Sequence, residues 1–221
     1  MDLNSGGHLS HGSIANLSGK IYDVHHYSLD KCGYIDTIDI IKCLKEFHPK
    51  LVIAGASAYP RQIYFSNIES MLEIYARNES VEKPYFMVDM AHIAGLVATG
   101  YHNTPFGHAD VITTTTHKTL RGPRGGLIFC RPELEKKINS AVFPGNQGGP
   151  LEHVILAKAV CAEECLRTSY AEYIAQVVSN TKAMADEFIK LGYDVTTGGT
   201  DTHLFLIDFS KTHPNLTGRA V

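Results

Sequence analysis

Lys118 is the side chain in this sequence best placed to do covalent chemistry. It ends the run Thr113-Thr114-Thr115-Thr116-His117-Lys118 and leads into Thr119-Leu120-Arg121-Gly122-Pro123-Arg124-Gly125-Gly126. The residues before it form a short apolar run of strand length, so a single amine is presented at a strand end beside a polar, glycine-rich loop. An amine so held can form a Schiff base with a carbonyl compound. On spacing alone, a solvated loop lysine is an equally good reading.

A second residue upstream favours the chemical reading. Pro84-Tyr85-Phe86-Met87-Val88-Asp89-Met90-Ala91-His92 is an apolar run of strand length that ends abruptly in a carboxylate. In open α/β sheets, ligands collect at the carboxyl ends of the strands. A carboxylate there is costly to bury unless it meets a cation or several donors. Asp89 could be a helix N-cap or a ligand contact. With Lys118 at the end of the next candidate strand, a ligand carrying both a carbonyl carbon and a protonated ring nitrogen fits the pair, and pyridoxal phosphate is such a molecule.

The elements that position these residues follow from hydrophobic periodicity. Lys20 to Leu29 reads as a β segment, and Ile35 to Phe47 as a helix capped by Asp36, with Ile38, Ile41 and Leu44 on one face. Leu51 to Ala54 is a strand, Phe65 to Arg77 a helix, and Val111 to Thr115 and Gly126 to Cys130 are strands. This alternation predicts a layered α/β sheet with mostly parallel strands. From Leu151 the pattern turns helical. A second helix covers about Tyr170 to Leu191 with Gly192 closing it, and Asp194 to Thr197 and Leu204 to Phe209 read as strands of a smaller unit. We place the domains at residues 1–165 and 166–221, with a helix beginning over Leu216 to Val221.

Composition excludes several classes. A net charge of −3 gives no electrostatic case for nucleic acid or an anionic membrane surface. Met1 to His11 contains no apolar leader, and no run reaches membrane-spanning length, so a cytoplasmic protein is expected. Five cysteines without a CxxC pair fit a reducing compartment, with Cys161 and Cys165 read as small buried hydrophobes on a helix. Twelve histidines invite a metal, but neither HExxH nor a Cys/His ribbon is present, and no metal site is expected.

The segment Val111 to Gly126 resembles the cofactor-lysine signature of serine hydroxymethyltransferases. Other motifs similar to that family follow in order: Gly6-Gly7-His8-Leu9-Ser10-His11-Gly12, Ser57-Ala58-Tyr59, Val88-Asp89-Met90-Ala91-His92, Ser140-Ala141-Val142-Phe143-Pro144-Gly145, Gln147-Gly148-Gly149-Pro150 and Gly198-Gly199-Thr200-Asp201. The resemblance implies a fold type I, pyridoxal-phosphate-dependent transferase-like large domain and the start of a smaller α+β domain. It also implies that the chain corresponds to the central part of such an enzyme, with family segments expected before and after it. Because the family's carboxylate-clamping arginine would lie beyond Val221, little or no activity is expected of this chain alone.

The resemblance further implies a set of roles. Lys118 carries the cofactor and then moves protons. Asp89 pairs with the pyridine nitrogen, and His8 stacks on the ring. His92 and Ser57 approach the ring oxygen. His117 and Arg124 belong to the active site, Arg124 near the substrate. Gly148 and Gly149 offer amides to the phosphate in the partner's site of a homodimer. Leu3, Gly7 and Leu9 lie around the folate. The implied reaction is transfer of the serine hydroxymethyl carbon to tetrahydrofolate, giving glycine and 5,10-methylenetetrahydrofolate in one-carbon metabolism and amino-acid biosynthesis. Another enzyme of the same cofactor fold, such as a threonine aldolase, and a non-catalytic cofactor-binding fragment are the alternatives. The threonine run has a bland reading as well, since β-branched residues favour strands.

Overall fold

The structure, a computed structural model, describes residues 1–210 and 212–219. The chain opens with a loop and a one-turn helix α1 (Leu17–Ile21), followed by α2 (Thr37–Phe47), β1 (Leu51–Ala54), α3 (Phe65–Glu79) and β2 (Tyr85–Asp89). Next come α4 (Ala94–Ala98), β3 (Val111–Thr115), β4 (Gly126–Cys130) and α5 (Glu135–Ser140). Two long helices, α6 (Glu152–Cys165) and α7 (Thr168–Lys190), precede the short strands β5 (Asp194–Val195) and β6 (Ile207–Asp208).

β1 to β4 form one sheet in the order β1-β2-β3-β4. β1 pairs with β2 and β2 with β3 in parallel, while β3 and β4 run antiparallel with Thr115 opposite Gly126. The mixed, mostly parallel α/β architecture expected from the alternation of elements is therefore present. Parallel pairing also brings the carboxyl ends of β1, β2 and β3 to one edge. Asp89 ends β2, and the turn carrying Lys118 follows β3.

One face of the sheet is packed and the other is open. Phe86, Val88 and Ile112 point into the core, where Phe65, Ile68, Leu72 and Tyr75 on one side of α3 meet them. Leu72 is fully buried. Leu72→Ala is expected to cost about 3 kcal/mol, the usual scale for emptying a packed leucine site, and urea unfolding measures it. On the opposite face, Leu51, Tyr85, Met87, Val111 and Ile128 line an apolar groove of about 650 Å³ together with α5. Parallel strands are ordinarily covered on both faces.

Several expectations are corrected. Lys20 to Leu29 is not a strand: Asn16 accepts a hydrogen bond from the Ser18 N–H and caps α1, and among the described residues its pairing is a single bridge from Leu29 to Ile35. Asp36 does cap α2, but the buried residues are Ile40 and Leu44, and Ile38 is 77% exposed. The two expected strands near the end shrink to Asp194–Val195 and Ile207–Asp208, because Thr196 to Gly198 forms a 3-10 turn and the backbone of Leu204 is engaged by threonine hydroxyls. Leu216 to Arg219 form no helix, and Ala220 and Val221 lie outside the described residues. α6 buries only Cys161, leaving Leu151, Ile155, Leu156 and Leu166 exposed. The thiols of Cys161 and Cys165 both donate to the Leu120 carbonyl.

Candidate active site

A cavity of about 220 Å³ opens at the carboxyl edge of the sheet. It is lined by His8, His11, Ser57, Asp89, His92 and Lys118, together with Ser10, Ala56, Ala91 and Thr113 to Thr115. The lysine and aspartate predicted to grip one ligand thus share a single pocket, with two predicted histidines and the predicted serine around them.

Three close backbone approaches assemble the walls. Gly55, at φ +122°, follows β1, and a Cβ there would collide with the Asp89 carbonyl, so the loop to Ser57 passes tight against the end of β2. Gly6, at φ +91°, accepts hydrogen bonds from the Ser57 N–H at 2.8 Å and the Ala58 N–H at 3.0 Å, which ties the His8 loop to the Ser57 loop. Thr119, directly after Lys118, donates its hydroxyl to the His92 carbonyl at 2.9 Å and accepts from the Gly95 N–H at 3.0 Å. The Lys118 loop is therefore fastened to the turn that carries His92. Tyr170 of α7 secures the same loop by donating to the Thr119 carbonyl at 2.9 Å.

Asp89 is partly satisfied by the protein. One oxygen accepts from the Ala91 N–H at 3.0 Å, and the other accepts from His11 Nε2 at 2.9 Å. Burial alone would raise its pKa. The hydrogen bonds from His11 and Ala91 and the nearby imidazoles of His11 and His8 outweigh that and hold it below the ordinary aspartate value. The side chain therefore stays ionised. A carboxylate offers about four lone-pair sites, so acceptor capacity remains for a cationic N–H of a ligand. Asp89 caps a turn and not a helix, since α4 begins only at Ala94.

His8 stands at the cavity with its ring tilted 59° to that of His11, centroids 5.7 Å apart. Its Nδ1 accepts from the Ser10 N–H, which fixes the ring's attitude. Burial and the neighbouring His11 lower its pKa, with Lys118 adding to that and Asp89 opposing it. Ligand atoms of His8, His11 and Asp89 lie within 4.8 Å of one another, a grouping no spacing motif announces. The 2.9 Å His11–Asp89 hydrogen bond already links two of its members.

His92 is more strongly perturbed, with its pKa lowered to about 4 by burial, then by Lys118 and His203, against an opposing pull from Asp89. It is neutral at physiological pH. A group whose folded pKa is depressed in this way opposes folding as acid charges it in the unfolded chain. Its stability contribution is complete above about 6.5 and is lost as pH falls toward about 4. Because the ring is only partly buried, the loss is discounted to about 1 kcal/mol. Urea titrations across that window are expected to show the slope, and His92→Gln is expected to flatten it.

Polar atoms left without partners mark where a ligand's polar groups belong. Ser57 Oγ and Thr115 Oγ1 are buried and unpartnered, and both residues line the cavity. Unsatisfied buried groups of this kind cost about 1–3 kcal/mol each, which a ligand's oxygens or nitrogens can recover. An anionic, hydroxylated pyridine with a carbonyl substituent matches the donor set: a carboxylate for its ring nitrogen, an imidazole at its face, a serine hydroxyl for its oxygen and an amine for its carbonyl.

Other predicted residues are placed elsewhere. The extended run stops at Thr115, so the strand alternation does not carry on to His117 and Lys118. His117 is not among the cavity-lining residues, and its Nε2 accepts from the exposed Arg124 guanidinium at 3.3 Å. Thr116 donates to the carbonyl of Pro123 and so closes the loop. Leu3 and Leu9 are exposed, while Gly7 is buried with the Met1 and Asp2 carbonyls against it. Gly148 and Gly149 are exposed and stand outside the cavity.

His11 and His203 were not anticipated as site residues. His11 contacts Asp89, and the His203 ring stacks on His92 with centroids 5.8 Å apart and planes 26° apart. His203 is delivered by a turn clasped to the Ser57 loop. Arg61 donates to Thr197 Oγ1 at 2.9 Å, to the Thr197 carbonyl at 2.7 Å and to Asp201 at 2.8 Å. The Asp201 N–H returns a bond to the Pro60 carbonyl at 2.9 Å.

The sequence model of serine hydroxymethyltransferase matches residues 1–221. The chain belongs to the serine hydroxymethyltransferase family. It is 51% identical over 221 residues to a serine hydroxymethyltransferase of Rickettsia massiliae (strain Mtu5), covering 99% of this chain and 50% of that protein. The chain thus spans about half the length of the curated relative it matches. Membership makes the fold type I assignment plain. Among the described residues, no helix is long and apolar enough to cross a membrane.

Proposed function

We propose that this chain supplies the coenzyme-holding part of a serine hydroxymethyltransferase. The reaction is reversible transfer of the serine hydroxymethyl carbon to tetrahydrofolate, giving glycine and 5,10-methylenetetrahydrofolate. The observation that carries the reading is the convergence of Lys118, Asp89, His8 and an unpartnered Ser57 Oγ on one cavity.

When bound, pyridoxal phosphate supplies an electron sink for negative charge developing at the amino acid α-carbon. The residues of this chain divide the remaining work. Lys118 holds the coenzyme covalently through its amine and, once released, can carry a proton. Asp89, kept ionised by His11 and the Ala91 N–H, holds the ring nitrogen protonated. His8 would cover one face of the bound ring, and Ser57 and neutral His92 would hold its oxygen. His117 and Arg124, one step outside the cavity, are read as orienting the substrate end. We read Gly148 and Gly149 as serving the phosphate of a partner's site in a homodimer, and Leu3, Gly7 and Leu9 as flanking the folate. A cytoplasmic setting, a large domain over residues 1–165 and the start of a second over 166–221 complete the proposal.

The test is direct. The chain is titrated with pyridoxal phosphate, reduced with borohydride and digested. A coenzyme adduct on the peptide containing Lys118 supports the reading, and an unmodified Lys118 at saturating coenzyme refutes it for this chain. Serine and tetrahydrofolate turnover is assayed on the same preparation, with little or none expected.

A further inference from the structure

We propose that His203 is a positioning residue for His92, its ring forming the wall that fixes the His92 imidazole at the cavity. The geometry carries this. The two rings stack with centroids 5.8 Å apart and planes 26° apart, within the range favoured by offset aromatic pairs. His92 lines the cavity, whereas His203 stands behind it. Nδ1 of His203 is buried without a hydrogen-bond partner, so the ring is held there by packing and not by a polar contact at that nitrogen.

The backbone that delivers His203 is unusually well fixed. Thr202 is fully buried, and its N–H donates to Thr200 Oγ1 at 3.0 Å. Thr200 Oγ1 also lies 3.1 Å from the Pro60 carbonyl, inside the loop already held by the Arg61 clasp. Ser57 and His203, which are far apart in sequence, are thereby carried by two loops hydrogen-bonded to each other. The charged and titratable groups facing His92 are Lys118, His203, Asp89 and His8, and those facing His203 are His102 and Lys118. Lys118 acts on both rings, so a neutral pair is what the surroundings favour. The consequence for chemistry rests on the reading of the cavity as a coenzyme site: a neutral, immobile His92 offers the ring oxygen a fixed nitrogen.

The measurement uses the 221-residue chain with ¹³C-labelled histidine and follows the His92 ring signals against pH, assigned by their loss in His92→Gln. The wild-type midpoint is expected at about 4. His203→Phe, which keeps a flat ring, is expected to leave that midpoint within about half a unit. His203→Gln, which keeps polarity but removes the ring, is expected to raise it by at least about one unit, because water then reaches His92. Unchanged midpoints in both variants overturn the proposal, as does an equal rise in both. Should His203→Gln fail to fold, the reciprocal is read: His92→Gln must raise the His203 midpoint, and no change there overturns the proposal. No coenzyme is needed, so failure of the coenzyme reading and failure of this one are separate results.

Discussion

In Lys118→Ala, titration with pyridoxal phosphate is expected to give no visible absorption band and no adduct after borohydride reduction. The remaining contacts, from Asp89, His8 and Ser57, are unchanged by the substitution, so weak non-covalent association can persist. Removing the amine takes away the covalent link and one charged donor. A charged hydrogen bond alone contributes about 1.5–3 kcal/mol, which corresponds to roughly a 10- to 150-fold weaker apparent affinity. Lys118→Arg serves as the control: it retains charge and length but cannot make the covalent link, so it should recover part of the affinity and none of the adduct. An adduct formed in Lys118→Ala at another lysine would refute the assignment. In an active preparation, loss of a proton-carrying amine is expected to lower turnover by about 10²- to 10⁴-fold.

Asp89→Ala is expected to be the more damaging change, because it acts on the protein and on the ligand together. His11 Nε2 loses its acceptor in a buried setting, and the Ala91 N–H loses its cap. Leaving a buried donor without its acceptor costs about 1–3 kcal/mol. Asp89→Asn keeps the shape and one acceptor oxygen but removes the charge that favours a protonated ring nitrogen. It should therefore fold better than Asp89→Ala while binding coenzyme at least about 10-fold more weakly than wild type. The acid limb gives a second check. Because the folded pKa of Asp89 is depressed, its stabilising contribution is present above the ordinary value of 3.8 and is lost as pH falls through the lower folded value. In Asp89→Asn that part of the pH dependence disappears. If the acid limbs of wild type and Asp89→Asn superimpose, the His11–Asp89 pairing is not formed in solution.

Much of the sheet could be read before any coordinates, and the reasons are local. Val111–Thr115 and Gly126–Cys130 are apolar or β-branched runs bounded by polar or glycine-rich segments, and the structure places both strands at those limits. Lys118 and Asp89 were legible because each ends such a run. α2 shows where local reading fails. Ile38, Ile40 and Ile41 point in different directions, and only packing against α3 selects Ile40 and Leu44 for burial. Lys20 to Leu29 failed differently: its residues suit a strand, but apart from the Leu29–Ile35 bridge no neighbour among the described residues pairs with it.

The site divides along the same line. His8, Ser57, Asp89, His92 and Lys118 were identified from ordered motifs, and they meet. His11 sits inside a quoted motif, but nothing nearby reveals that its partner is Asp89. His203 follows a Gly-Gly-Thr-Asp turn, and its stacking partner lies on β2's far side of the sequence, so no periodicity could report the contact. The strand ends at Thr115, where the Pro123-containing loop closes on Thr116, and His117 stands outside the cavity that its neighbour Lys118 lines.

The Arg61 clasp also bears on synthesis at the ribosome. Ser57, Asp89 and Lys118 emerge long before Thr197, Asp201 and His203, so every residue lining the cavity is translated before the turn that backs His92. Arg61 must wait, uncommitted, through most of that interval. The backing of His92 is accordingly a late event, dependent on the arrival of the turn that Arg61 captures.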